Sequence, residues 1–226
     1  MVGYHNKTGL TLLKVTEPPK NIGFVNIFDG NDSLQVGSSL ITISYKKTLP
    51  LAPRWSVFMG TTGMGNVNLK SIKKSEIFLF PVLRTQLTSF GGESGSPVFD
   101  TNGSFIGFTY MYNEASRENL ILPQKAIIRY VKDLKVFGKV QYAWIGVTIF
   151  ENSLPIQIKE VVQGSPSDIA GLKAGDIILE LGDKRIDSLL DMSTVIFYSR
   201  IGTVLPITIN RDGKKKIFEL NIKAKE

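Results

Sequence analysis

Short runs in which apolar and polar positions alternate fill the first half of the chain. "LTLLKV", "LITISY", "EIFLF", "SPVFD" and "SFIGFTYMY" are rich in β-branched and aromatic residues and are bounded by Gly, Asn, Asp or Pro. A period of two turns one face of each run toward a core and the other toward solvent, so each predicts a strand. "SPVFD" and "SFIGFTY" are joined by "TNG", where Asn102-Gly103 supplies the φ > 0 turn of a hairpin. Strands at this spacing predict a barrel or sandwich. The period then changes. Ile127, Ile128, Val131 and Leu134 recur at helical spacing, Pro123 and Gln124 suit a helix start, and Gly138 stops the run.

From Gln141 the pattern mixes strands and helices. "YAWIGVTIF" and "LPIQIKEVV" read as strands. "GSPSDIAGLKAGDIILELGDKRI" reads as a turn, a short helix, a Gly-Asp turn, a strand and a second Gly-Asp turn. "LLDMSTVIFYSRIG" predicts a helix ended by Gly202, and "VLPITINRDGKKKIFELNIKA" a hairpin around Asp212-Gly213. Residues 141–226 therefore predict a compact α+β module. No internal repeat or low-complexity segment interrupts either half.

Composition narrows the chemistry. A chain of 226 residues with 42% hydrophobic content suits one large or two ordinary globular domains. No apolar run approaches the ~18–20 residues that span a bilayer. The opening "MVGYHNKTGL" lacks a basic-then-apolar signal pattern. The chain as given is expected to be soluble and to carry no visible export address. It has no cysteine and one histidine, His5, which excludes disulfides, thiol catalysis and thiolate or His-rich metal sites. No metal and no cofactor are expected. The net charge of +7 sits in scattered clusters, "KSIKKSE" and "RDGKKK". Nucleic-acid binding needs clustering on one face, so both read as solvated turns and no nucleic-acid partner is expected. A scaffold that uses these loops on anionic surfaces is the weakest of three functional readings.

The chemistry-bearing stretch is "GGESGSPVFD", residues 91–100, in which a small-residue loop presents Ser94 just before a strand. A hydrolase elbow needs a strand-to-helix turn, and here a hairpin follows, with Ser96 in the fifth position. "GGESGSPVFDTNGSFIGFTY" instead resembles the nucleophile loop of trypsin-like serine proteases, Gly-x-Ser-Gly-Gly-Pro followed by a hairpin. "GSPSDIAGLKAGDIILELGDKRI", with the following helix and "INRDGK", resembles a PDZ domain. A trypsin-like domain, a helix ending in Gly, then Trp-Ile-Gly-Val and a PDZ domain is the order of the HtrA/Deg (DegP-like) family. "VGYHNKTGLTLLKV" and "DSLQVGSSLITIS" also resemble segments of that family, so the likeness runs nearly end to end.

The resemblance implies a mainly β fold: a trypsin-like β-barrel, mostly the C-terminal barrel, followed by an α+β PDZ domain. It implies three segments: residues 1–21 as the remnant of an N-terminal barrel strand, 22–138 as the barrel and linker helix, and 139–226 as the PDZ domain. "GLTLLKV" would then be a lone strand with an unpaired edge, and the chain a fragment or shortened paralogue.

The resemblance places the nucleophile at Ser94 and oxyanion donors at the N–H groups of Gly92 and Ser94. The family's aspartate falls on Gly9, which has no side chain, and the family's histidine lies upstream of this chain's start. His5 is expected to be an exposed turn residue rather than a substitute base. Lys70, Lys73 and Lys74 have no positional support as bases. Loss of base and orienter predicts a fall on the order of 10⁶-fold in turnover.

In the PDZ half the resemblance implies peptide binding by β-augmentation. Trp144, Ile145, Gly146 and Val147 match the loop whose N–H groups catch a terminal carboxylate. Val147, Thr148 and Ile149 would be the augmenting strand. Val195, with Ser199 or Tyr198, would face the groove, and Met192 and Ile196 the core. Gly171, Gly175 and Asp176 read as structural. The expected function is that of an HtrA-like serine protease relative of protein quality-control type. It would be proteolytically inactive as this chain and would bind unfolded or C-terminal peptide segments with an apolar last residue. The alternative is an active serine endopeptidase completed by a missing N-terminal barrel or a partner chain. The resemblance also suggests homo-oligomers and the cell envelope or periplasm.

Overall fold

The computed structural model describes residues 1–28, 34–46, 49–63, 80–86, 93–150 and 154–225, without the side chains of 46–52. The chain falls into two compact units, Met1–Val140 and Gln141–Glu226. No described helix is long and apolar enough to cross a membrane.

The first unit opens with β1 (Gly3–His5) and β2 (Leu10–Leu12), which pair as an antiparallel hairpin with His5 opposite Leu10. This corrects the expectation that the front strand stands alone. A three-residue partner precedes it, too short for any hydrophobic period to show. The barrel follows: β3 (Ser39–Lys46), β4 (Leu49–Gly63), β5 (Pro81–Thr85), β6 (Pro97–Asp100), β7 (Phe105–Asn113) and β8 (Glu118–Pro123). These strands close in the order β3-β4-β5-β8-β7-β6. Leu40, Phe58, Val98, Ile106 and Ile121 fill the interior. The strand expected at "EIFLF" lies, apart from Phe80, outside the described residues.

The β6–β7 turn forms as the Asn-Gly signal predicts, with help from Asp100. Its Oδ1 accepts from Asn102 N at 2.9 Å and Ser104 N at 2.8 Å, and Gly103 takes φ 80°. α1 (Gln124–Phe137) follows β8 directly. It is capped at its end by left-handed Gly138, whose N–H reaches Leu134 O at 3.1 Å. Its buried face, Ala126, Ile127, Tyr130, Val131 and Leu134, supports β1: a Cβ on Gly3 would lie 2.9 Å from a Leu134 methyl.

The second unit contains β9 (Ala143–Trp144), β10 (Val147–Ile149), β11 (Ile158–Val161), α2 (Pro166–Ala170), β12 (Ile177–Leu181), β13 (Lys184–Arg185), α3 (Leu189–Tyr198), β14 (Val204–Arg211), β15 (Lys214–Asn221) and β16 (Lys223–Ala224). β13-β12-β14-β15 form one sheet, while β10-β11 and β16-β9 are two-stranded ribbons. Ile145, Ile158, Ile178, Leu181, Ile207, Ile209 and Leu220 lie in the shared core. The β14–β15 turn uses Asp212 at φ 54° and Gly213 at φ 76°, the type I′ pattern that "DG" predicts.

α3 ends at Ser199, three residues before the expected stop at Gly202. Ser199 is extended, and both its N–H and its hydroxyl turn back to the Val195 carbonyl, at 3.0 and 2.6 Å. This satisfies the helix end before Gly202 is reached.

Candidate functional site

Ser94 sits in an exposed turn between buried Glu93 and the first residues of β6. Backbone bonds fix that turn to β7. Gly95 N donates to Thr109 O at 2.6 Å, and Thr109 N donates to Ser96 O at 2.9 Å. Ser96 N reaches Glu93 O at 3.1 Å and Thr109 Oγ1 at 3.0 Å, while the Thr109 hydroxyl donates to Glu93 O. Gly95 takes φ 86°, the left-handed region that favours glycine. No described residue makes a hydrogen bond with the Ser94 hydroxyl.

Glu93 was not singled out in the sequence, yet it anchors the turn. Its carboxylate, 2% exposed, receives Arg54 Nη1 at 2.8 and 2.9 Å and Ser44 Oγ at 3.4 Å. Arg54 lies on β4 and Ser44 on β3, so two strands far away in sequence hold the residue before the serine. The signal available was an acidic residue inside a glycine-rich loop. Its partner, Arg54, is visible only once the barrel closes.

Gly9 stands in the turn of the β1–β2 hairpin with φ 71°, and its N–H bonds to His5 O at 2.9 Å. A Cβ built there meets open space. His5 is 3% exposed, which corrects the expectation of an exposed turn histidine. Its ring lies 4.4 Å from that of Tyr130, and its Nδ1 is 2.6 Å from Thr8 Oγ1. The short β1 strand turns it inward onto α1. Burial, with the Lys7 and Arg129 charges, lowers its pKa to about 4, so the ring is neutral at pH 7. The same turn is tied to β7 by Tyr110, whose hydroxyl donates to Lys7 O at 2.9 Å. Gly92, Lys70, Lys73 and Lys74 lie outside the described residues.

In the second unit Trp144 ends β9, Ile145 is buried at 3% exposure, and Gly146 turns with φ 80°. Gly146 is required twice over. Its φ favours glycine, and a Cβ would stand 2.1 Å from the Ser165 Cβ. Ile145 O accepts from Ser167 N at 3.0 Å, and Gly146 O accepts from Val162 N at 2.9 Å. No described residue accepts from the N–H of Ile145 or Gly146. Val147 and Ile149 are half-buried against the core and Thr148 is exposed. Val195 and Ile196 both pack beside the core as partly buried residues, whereas Met192 is fully inside it.

Among the described residues β10 pairs on one side only, with β11. Gly146 bonds to Val162, Thr148 stands opposite Glu160, and Phe150 N reaches Gln157 O at 3.3 Å. The Gly146 carbonyl, Thr148 and the Phe150 N–H thus face β11. Alternation of bonded pairs leaves the N–H and C=O of Val147 and Ile149 directed to the open edge. Asp176 holds the neighbouring turn. It accepts from Lys173 N at 2.8 Å and pairs through two oxygens with Arg211, at 2.7 and 2.8 Å.

A family model described as a trypsin-like peptidase domain matches residues 1–108, and one described as a PDZ domain matches residues 143–222. A probable periplasmic serine endoprotease, DegP-like, from Marinomonas sp. (strain MWYL1) is 25% identical across 100% of this chain and 49% of its own length. The serine protease Do-like HtrA of Bacillus subtilis (strain 168) is 24% identical over 100% of this chain and 55% of its own. The chain thus spans about half the length of these curated relatives. Among solved structures, the HtrA-type protease AlgW with tripeptide covers 100% of this chain and 76% of its own at TM-score 0.72 and 17% identity. The serine endoprotease from Yersinia pestis covers 100% and 75% at TM-score 0.63 and 23% identity. With both domain types in order and the fold shared end to end, the chain belongs to the HtrA/Deg family of trypsin-like serine proteases that carry a PDZ domain.

Proposed function

We propose that this chain binds the C-terminal or unfolded segments of other proteins through its second unit and that Ser94 is the relic of a nucleophile. The observation that carries the binding half is the one-sided pairing of β10 beside the Gly146 loop. The N–H groups of Ile145, Gly146 and Val147 would receive a terminal carboxylate. The edge of Val147 and Ile149 would bond an added strand, and Val195 would border the pocket for its side chains. Trp144 sits beside the Gly146 turn, its ring 3.2 Å from where a Gly146 Cβ would be. A chain with an apolar last residue fits this surface best.

Gly9 is the argument for lost proteolysis. At the position of the family's aspartate there is no carboxylate to orient an imidazole, and the chain's one histidine is committed to Thr8 and Tyr130. Segments 1–21, 22–138 and 139–226 are the divisions this reading uses for strand remnant, barrel with helix, and peptide-binding domain. The second reading, an endopeptidase completed by a further barrel or partner chain, is favoured by the Ser94 turn itself, which keeps its clamp to β7 and β4.

One preparation tests both halves. Apolar-ended peptides with a free carboxylate should bind, and their C-terminal amides should bind at least ~10-fold more weakly, since a charge-assisted site is lost. Gly146→Ala should abolish binding. Equal affinity for acid and amide would reject the carboxylate loop. In parallel, a fluorophosphonate probe should leave the protein unlabelled; labelling that disappears in Ser94→Ala would establish an activated serine and the second reading.

A further inference from the structure

β15 is the last strand of its sheet, which runs β13-β12-β14-β15. Its register on β14 fixes which way each residue points. Lys214 stands opposite Arg211 across the two-residue turn, and beyond the far end Ile222 N donates to Thr203 O at 2.9 Å. The bonded pairs of this ladder are therefore those of Lys214, Lys216, Phe218 and Leu220 with their β14 partners. The N–H and C=O of Lys215, Ile217 and Glu219 face the open edge, where no described residue bonds to them. Side chains follow the same parity. Phe218 packs on the core and Leu220 lies in it, while Lys215, Ile217 and Glu219 stand on the outer face, Ile217 at 70% exposure.

An open edge eight residues long is a template for another strand. The sequence of β15, "KKKIFELN", says which one. Turned end for end and laid beside itself about Ile217, the strand faces Ile217 with Ile217, Lys215 with Glu219 and Glu219 with Lys215. These are the residues whose backbone groups are open, so each facing pair exchanges two backbone hydrogen bonds. On the other face Lys216 meets Phe218 and Lys214 meets Leu220, so no lysine meets a lysine. Lysines guard an edge where like charges would be brought together, and in this register they are not. A slip of two residues in either direction sets Lys215 against Ile217 or Asn221 and loses both ion pairs and the apolar contact. Within one chain Lys215 makes a long, exposed contact with Glu180 at 3.5 Å, which gives up little when a carboxylate comes to face it.

We propose that β15 pairs with the β15 of a second copy of this chain, about a twofold axis at Ile217, so that one continuous sheet runs through both second units. The contact uses the same patch on both copies, as a closed dimer requires. It does not rest on the groove reading, since β10 belongs to a separate ribbon.

Sedimentation equilibrium of the full chain tests this. The native chain should associate reversibly, with a Kd of about 10–100 µM. Lys215→Glu sets carboxylate against carboxylate and Glu219→Lys ammonium against ammonium, so each variant alone should associate at least ~10-fold more weakly. Mixed in equal amounts, the two should recover the native affinity within about threefold, because every charged pair is then opposite in sign. Ile217→Asp, with two carboxylates on the axis, should sediment at half the native mass. All three positions are exposed, and thermal melts check that each variant is folded. A native chain that stays monomeric at ~500 µM overturns the inference. So does association that folded Ile217→Asp retains, which would run through another surface, or a mixture of the two folded charge variants that sediments as its separate parts.

Discussion

Buried His5 and Asp176 both make this protein sensitive to acid, and they act with the same sign. His5 has a folded pKa of about 4, because burial and then the Lys7 and Arg129 charges disfavour its cation. The unfolded chain binds its proton near pH 6.5. Between those values the unfolded state holds more protons, so stability rises with pH and is lost as pH falls from 6.5 toward 4. The loss attributable to His5 is up to ~3 kcal/mol, and His5→Gln should flatten this part of a denaturation-versus-pH curve. Asp176 acts lower. Burial alone would raise its carboxyl, but the Arg211 hydrogen bonds and the Lys173 N–H outweigh burial and hold it below the usual carboxylate value. Its contribution is complete above the unfolded pKa and disappears as pH falls through the folded one. Arg211→Ala strands that buried carboxylate and should cost about 3–5 kcal/mol at pH 7 by urea denaturation.

At the level of elements, the β7–β8 pair depends on one glycine. A Cβ on Gly107 would lie 2.2 Å from the Leu122 carbonyl oxygen, and backbone cannot move aside as a side chain can. Every residue of β8 is buried, so the strand has no room to retreat. Gly107→Ala should destabilise the barrel by ~2 kcal/mol or more, whereas Gly103→Ala in the open β6–β7 turn should cost about 1 kcal/mol. A thermal melt of the two variants checks the order. This contrast also marks what the sequence made legible. Alternating runs, "NG", "DG" and the helical spacing of Ile127 to Leu134 are local signals, and among the described residues the corresponding elements formed, "EIFLF" lying, apart from Phe80, outside them. The β1–β2 hairpin, the burial of His5, the early end of α3 and the Glu93–Arg54 pair were not legible. Each is decided by a contact between residues that no short window contains, or by a single side-chain hydrogen bond such as that of Ser199. Ser94 and the Gly146 loop could be found because their chemistry is carried by consecutive residues.

On the scale of the whole molecule, each unit closes its own core, around Leu40, Val98 and Ile121 in one and Ile158, Leu181 and Ile209 in the other. Separate cores predict separable unfolding. Calorimetry should resolve two transitions, with Arg211→Ala lowering only that of Gln141–Glu226 and Gly107→Ala only that of Met1–Val140. A single shared transition that both variants lower equally would contradict this.

Tyr110 has no partner on β8: Thr109 pairs with Ile121 and Met111 with Leu120. The residue that holds the 6–9 turn is therefore the extra residue of a bulge, next to the one that holds the Ser94 turn. Such a strand keeps two parities, one counted up to Thr109 and another from Met111 onward. Loss of a single residue here would merge them and exchange inside for outside as far as Asn113. Lineages of this protein can thus alter the length of the turn after Asn113 far more freely than the length of β7, where one codon gained or lost would detach both turns together.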